Sequence, residues 1–143
     1  MTRPTYDDTN LILRLYQLRR EDRMRRGRAW FTAHFKAKTW DEFQKLAPGG
    51  SDENASFRMV VTYWDMVGSF ITSGVLHKEL FFQSGRELLL VWERMRDLLP
   101  EIRRQYKDPH LWSHLETVGN EFAEYFKARS GEGYEAFLKR IKG

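Results

Sequence analysis

FRMVVTYWDMVGSFITSGV, residues 57–75, decides the fold. Its polar side chains Arg58, Thr62, Asp65, Ser69 and Thr72 recur at steps of four, three, four and three. At ~100° per residue those steps confine them to a wedge about 80° wide, whereas a strand would alternate with period two. Almost everything else between Phe57 and Ile71 is apolar or small. A helix with so narrow a polar stripe has neighbours on most sides, which makes this the expected central helix of a bundle. Gly74 stops it, because glycine enters the left-handed conformation of a helix C-terminus without a Cβ penalty. A second helix is expected over 78–99. Phe81, Gly85, Leu88, Trp92, Met95 and Leu99 line one of its faces, and Glu79, Gln83, Arg86, Glu93 and Asp97 the other. The turn between the two is short, which predicts an antiparallel hairpin. In that register Gly68 faces Gly85. Either the two backbones approach closely there, or each glycine makes room for an aromatic ring.

Outward from the hairpin, residues 1–7 read as a loose start and a first helix is expected from about Asp8–Asn10. It carries Leu11, Leu15 and Leu18 on one stripe, with Ile12 and Tyr16 beside it. The apolar signal fades across Arg19–Arg28 (RREDRMRRGR) and returns at Trp30, Phe31 and Phe35. Thr39 and Glu42 form a capping-box pattern that opens a short helix bearing Trp40, Phe43 and Leu46. Pro48-Gly49-Gly50 ends that helix, and Ser51 or Asp52 caps the central one. Beyond the hairpin, Pro100 ends or kinks the second helix. Asp108-Pro109 is a helix start signal, with Leu111, Leu115, Val118, Phe122, Tyr125 and Phe126 on the inner side. Gly131-Glu132-Gly133 reads as a hinge before a short helix with Tyr134, Phe137, Leu138 and Ile141 on one face. An isolated helix of that length is marginal in water, so it must dock. The expectation is an all-α bundle of five to six helices around the hairpin 57–75 and 78–99. It is one domain over 1–143, with 19–28 a basic arm and 131–143 a hinged C-terminal helix.

The chain has no cysteine, which excludes disulfides and thiolate metal sites and fits a reducing compartment. Residues 1–10 lack the apolar core of a signal peptide. The longest uncharged run, Met66–His77, is well short of the ~20 residues a spanning helix needs. The expected location is the cytoplasm. The net charge of +4 is local: Arg19–Arg28 holds six arginines against Glu21 and Asp22, so the rest of the chain is neutral overall.

Several pieces recur in a familiar order: Tyr63-Trp64-Asp65-Met66-Val67-Gly68, Ser73-Gly74-Val75-Leu76, Val91-Trp92-Glu93, Pro100-Glu101-Ile102-Arg103-Arg104, and Asp108-Pro109-His110-Leu111-Trp112 with Leu115-Glu116. In this order and spacing the chain resembles the bacterial Domain of Unknown Function 4760 family, over about half of its length. The resemblance implies an all-helical domain and no activity. The chain departs from the pattern at His77, where an acidic helix cap is expected.

Candidate chemistry is sparse. His110 and His114 sit at i, i+4 and could share a helix face, but a metal site needs a third ligand, and a solvated helix start explains them as well. The stripe Arg58, Thr62, Asp65, Ser69, Thr72 could hold an acid–base pair or could simply face water. No catalytic, cofactor-binding or metal-binding residue is assigned, and no cofactor or small-molecule substrate is implied. The arginines Arg19, Arg20, Arg23, Arg25, Arg26 and Arg28 offer forked, permanently charged donors for phosphate, followed at once by Trp30 and Phe31. A solvated charged face or an acidic protein partner accounts for them too. The leading expectation is a non-enzymatic protein–protein interaction or scaffold module, with a protein partner or homodimer. The alternative is a nucleic-acid- or ribosome-contacting accessory protein that uses 19–28.

Overall fold

The computed structural model describes residues 2–142, and every regular element among them is helical. Helix α1 (Tyr6–Arg19) starts earlier than its apolar pattern does. Thr5 and Asp8 form a capping box, with the Asp8 carboxylate accepting from the Thr5 amide at 2.7 Å. The same carboxylate accepts from the His77 amide at 2.8 Å, so the first turn is tied to the chain beyond the central helix and residues 5–7 are not a loose tail. Helix α2 (Asp22–His34) is capped by Glu21, whose carboxylate takes the amides of Arg23 and Met24. The run Arg19–Arg28 thus spans the joint between α1 and α2, and its second half buries Met24 and Gly27. Helix α3 (Trp40–Leu46) carries the expected capping box of Thr39 and Glu42.

Helix α4 (Asp52–Thr72) is the central one, capped by Ser51 and closed by Gly74 at φ +83°. It buries Phe57, Val60, Val61, Trp64, Val67 and Ile71. Phe57 meets Phe35 and Phe43 at centroid distances of 5.0 and 4.7 Å, a cluster in which each ring contributes about 1.5–3 kcal/mol on burial.

The expected helix over 78–99 is instead three pieces: α5 (Lys78–Phe82), α6 (Arg86–Met95) and α7 (Leu99–Tyr106). Two poor helix formers, Ser84 and Gly85, separate the first two. A Cβ on Gly85 would lie 2.2 Å from the Phe81 ring, so the glycine makes room for a ring of its own segment. Pro100 sits in the first turn of α7, where its missing amide hydrogen costs nothing. The C-terminal pieces are α8 (Ser113–Arg129) and α9 (Gly131–Lys142), with only Ser130 between them. Gly131-Glu132-Gly133 is the first turn of α9, and the Ser130 hydroxyl accepts from the Gly133 amide at 2.9 Å.

The all-α class holds, but the count among the described residues is nine helices rather than five to six. The hairpin also needs correction. Helix α4 packs mainly between α2 and α8 and touches α6 only lightly. Helix α6 lies instead against α8 and α9. No helix among the described residues is long and apolar enough to cross a membrane.

Candidate functional site

The fold parts the six arginines singled out by the sequence. Arg28 forks onto Glu87 with two bonds of 2.8 Å and also donates to the Arg19 carbonyl. The same carboxylate accepts from Trp64 Nε1 at 3.1 Å. The hydrogen bond to Glu87 raises the Arg28 pKa above its ordinary value, so this cation is committed to holding α2 against α6. Arg23 donates to Ser56 Oγ on α4 at 3.3 Å. Arg25 pairs with Asp22 at 3.0 Å with both side chains in water, an arrangement of little energetic value. Arg20, Arg25 and Arg26 are exposed.

Arg19 and Arg20 turn the other way. The Arg19 guanidinium lies 5.3 Å from the rings of both Tyr16 and Trp64, and that of Arg20 lies 5.7 Å from Tyr16. Arg19 lines an apolar groove of about 340 Å³ between α1 and α5, floored by Trp64, Phe81 and Gly85 and walled by Ile12, Leu13 and Tyr16. Tyr63 pins α1 beside it by donating its hydroxyl to the Leu15 carbonyl at 2.6 Å; burial pushes its pKa up to about 12, so it stays a donor.

The outward face of α1 is unusually apolar. Tyr6, Leu13 and Tyr16 are 78, 56 and 49% exposed. With Thr9 they are spaced three, four and three apart, which puts all four within about 80° of the helix circumference. The sequence pattern places Leu11, Leu15 and Leu18 on one inward stripe, yet Leu18 is exposed and only Leu15 of the three is fully buried. The missed signal is this second stripe, readable only once the helix start moves back to Tyr6.

The other candidates come apart. His110 lies in the turn before α8 and His114 in its first turn, so the two do not share a helix face. His114 Nδ1 is 2.9 Å from Thr72 Oγ1. No three His, Asp or Glu side chains converge as a metal site among the described residues. Arg58 donates to Asn54 and does not pair with Asp65. Asp65 Oδ1 instead accepts from the Leu115 amide at 2.9 Å, capping α8 from a neighbouring helix. That role suits the local chain, since Trp112 at the start of α8 is left-handed and supplies no side-chain cap. His77, where an acid is expected, caps α5 itself: its Nδ1 accepts from the Leu80 amide at 3.1 Å.

Two buried charges escape a reading by period. Glu93 is 3% exposed and accepts from Tyr134 and, twice, from Arg96 at 3.0 and 2.9 Å. Arg94 is 9% exposed and donates to the carbonyls of Phe31, Thr32 and Ile141. Both fasten α9 to the bundle.

A family model described as Domain of unknown function (DUF4760) matches residues 4–122. No curated protein and no solved structure matches the chain. The matched region takes in α1 through α7 and α8 as far as Phe122, so it contains the α1 groove and leaves out α9.

Proposed function

The chain belongs to the DUF4760 family, and we propose that it is a non-enzymatic helical interaction module, working in the cytoplasm, that pairs with a second copy of itself through α1. The observation that carries this is the apolar stripe Tyr6, Leu13, Tyr16, left in water on a helix whose other face is anchored. Apolar side chains at helical spacing beside an apolar groove are what a second helix needs. Charge favours a copy of the same chain. Exposed Tyr6 opens the stripe, and Arg20, the residue that caps the C-terminal end of α1, lies in line with it and is exposed too. An antiparallel two-fold pairing centred on Leu13 sets Tyr6 of one copy beside Arg20 of the other, a cation against an aromatic ring at both ends.

The size of the face sets the strength. A helix of 14 residues is about 21 Å long, and its exposed stripe falls short of the ~800 Å² per partner of a standard interface. The pairing is therefore weak, with a dissociation constant of roughly tens of micromolar. Sedimentation velocity should show a monomer at low micromolar concentration shifting to a dimer as concentration rises. Leu13→Arg combined with Tyr16→Glu should keep the melting temperature and abolish the shift. A chain that stays monomeric to near-millimolar concentration would end the proposal, and would turn attention to a foreign helix with an acidic end.

The exposed guanidinium groups of Arg20, Arg25 and Arg26 favour a second reading, contact with nucleic acid or the ribosome. Salt separates the two, since an apolar pairing survives it and phosphate contact does not. Filter binding at low salt, with Arg23, Arg25 and Arg26 changed together to Ala, tests that reading. Retention that ignores salt or the substitutions would count against it.

A further inference from the structure

We propose that the cleft between α5–α6 and the end of α8 is a binding site for a small phosphate-bearing anion. The cleft encloses about 720 Å³. Its floor is aromatic, with Phe82 and Phe122 stacked at 4.3 Å and Tyr125 5.1 Å from Phe82. Its rim carries Arg86 and Arg129, and among the described residues no carboxylate lines it.

Those two arginines carry no acid, unlike the five that do. Arg25, Arg28, Arg96, Arg103 and Arg104 each hold a carboxylate. Among the described residues neither Arg86 nor Arg129 has one. Each guanidinium is parked on an aromatic face instead: Arg86 4.3 Å from the Phe126 centroid, Arg129 5.5 Å from that of Tyr125. Stacking restrains a guanidinium plane while leaving its edge N–H donors free. An oxyanion entering the cleft therefore meets two restrained forks whose conformational entropy is already reduced.

The position of Arg86 strengthens the case. It is the first residue of α6, at the positive end of the helix, where a cation is disfavoured by about 0.3–1 kcal/mol. Glu87, the acid beside it, is already held by Arg28 and Trp64. The cleft thus concentrates positive charge that no described residue on its own walls neutralises.

Volume and shape decide the class of ligand. A recess of this size matches sites for small molecules. The guanidinium groups cover the faces of Phe126 and Tyr125, so these rings offer no platform on which successive bases of a strand could stack. A di- or monophosphate on a small carrier fits the two forks, with Gln83 and Ser130 at the rim to contact the carrier.

Isothermal titration of the full chain with pyrophosphate and with ribose 5-phosphate, at ionic strength matched with sodium chloride, tests this. Saturable binding at sub-millimolar concentration is expected for at least one probe. Arg86→Gln and Arg129→Gln should each weaken it at least about tenfold. Arg104→Gln, which alters an exposed arginine paired with Glu101 elsewhere, should leave it unchanged. Arg86→Lys keeps the charge but loses the fork, and should also weaken binding. Because Arg86 and Arg129 are exposed, the variants should retain the wild-type far-ultraviolet circular dichroism. Chemical-shift changes at Phe126 and Tyr125 on adding the probe would place the anion independently of any variant. No binding at several millimolar, or equal loss in the Arg104 control, would overturn the proposal.

Discussion

A single hydrogen atom, the one Gly68 carries in place of a side chain, sets how closely α4 and α8 approach. A Cβ there would lie 2.9 Å from the His114 oxygen, 3.0 Å from its carbonyl carbon and 3.3 Å from the Leu115 nitrogen. All three are backbone atoms and cannot swing aside. One turn earlier on α4, Asp65 uses the close approach to reach the Leu115 amide. Glycine permits the contact and aspartate exploits it. Gly68→Ala gains ~1 kcal/mol of helix propensity but forces two helices apart, which costs about 1–3 kcal/mol beyond that gain. The melting temperature should fall by about 3 °C per kcal/mol lost; a value at or above that of the wild type would refute the close-contact account. The sequence raises the right question at Gly68 and points to the wrong partner. Periodicity reports which residues share a face, not which helix covers it. Gly85 illustrates the other half, since its space is taken by the ring of Phe81, and Gly119 does the same for Trp92.

Elements were legible where their stop signals were strong and local. The starts of α3 and α4 and the end of α4 follow from Thr39, Ser51 and Gly74. The stretch 78–99 was not, because Gly85 fits an apolar line as well as it fits a break. The start of α8 was misplaced at Pro109 because Asp108 makes a turn instead, accepting from the His110 amide at 3.2 Å. Least legible was what holds the helix ends together. Arg94 donates to the last carbonyls of α2 and to Ile141 of α9, at helix ends where carbonyls run short of partners and the dipole is negative; the Phe31 carbonyl is shared with the Phe35 amide. Burial lowers its pKa, yet a guanidinium stays charged. Arg94→Lys keeps the charge and loses the fork, so one nitrogen cannot serve carbonyls on two helices. Leaving one or two of them unpaired costs about 3 kcal/mol in total. Hydrogen exchange should quicken first along α9, whereas unchanged protection there would show that the clasp contributes nothing.

For the whole molecule, the question is what makes α9 part of one cooperative unit, and Glu93 supplies an answer that pH can test. Its carboxylate is buried under α9 and receives Tyr134 from that helix, while Lys142 Nζ stands 3.6 Å away. Burial alone would push its pKa up. The hydrogen bonds from Arg96 and Tyr134, with the charges of Arg96 and Lys142, outweigh burial and hold the group below the ordinary 4.5. The folded chain thus binds this proton less readily than the unfolded chain does. The resulting stability is fully present above about pH 4.5 and is lost as pH falls through the lower, folded value. Asp8, held down mainly by the amides of Thr5 and His77, has the same sign at the other end of the chain, so acid loosens both ends. Tyr134→Phe isolates the α9 share. At neutral pH the variant lacks a charge-assisted bond of about 1.5–3 kcal/mol and should melt lower. As pH drops below 4.5 the wild type loses that advantage when Glu93 gains its proton, while the variant has none to lose. Melting curves taken between pH 7 and pH 3 should therefore converge at the acid end. Curves that stay parallel would mean that the Glu93–Tyr134 bond does not couple α9 to the fold.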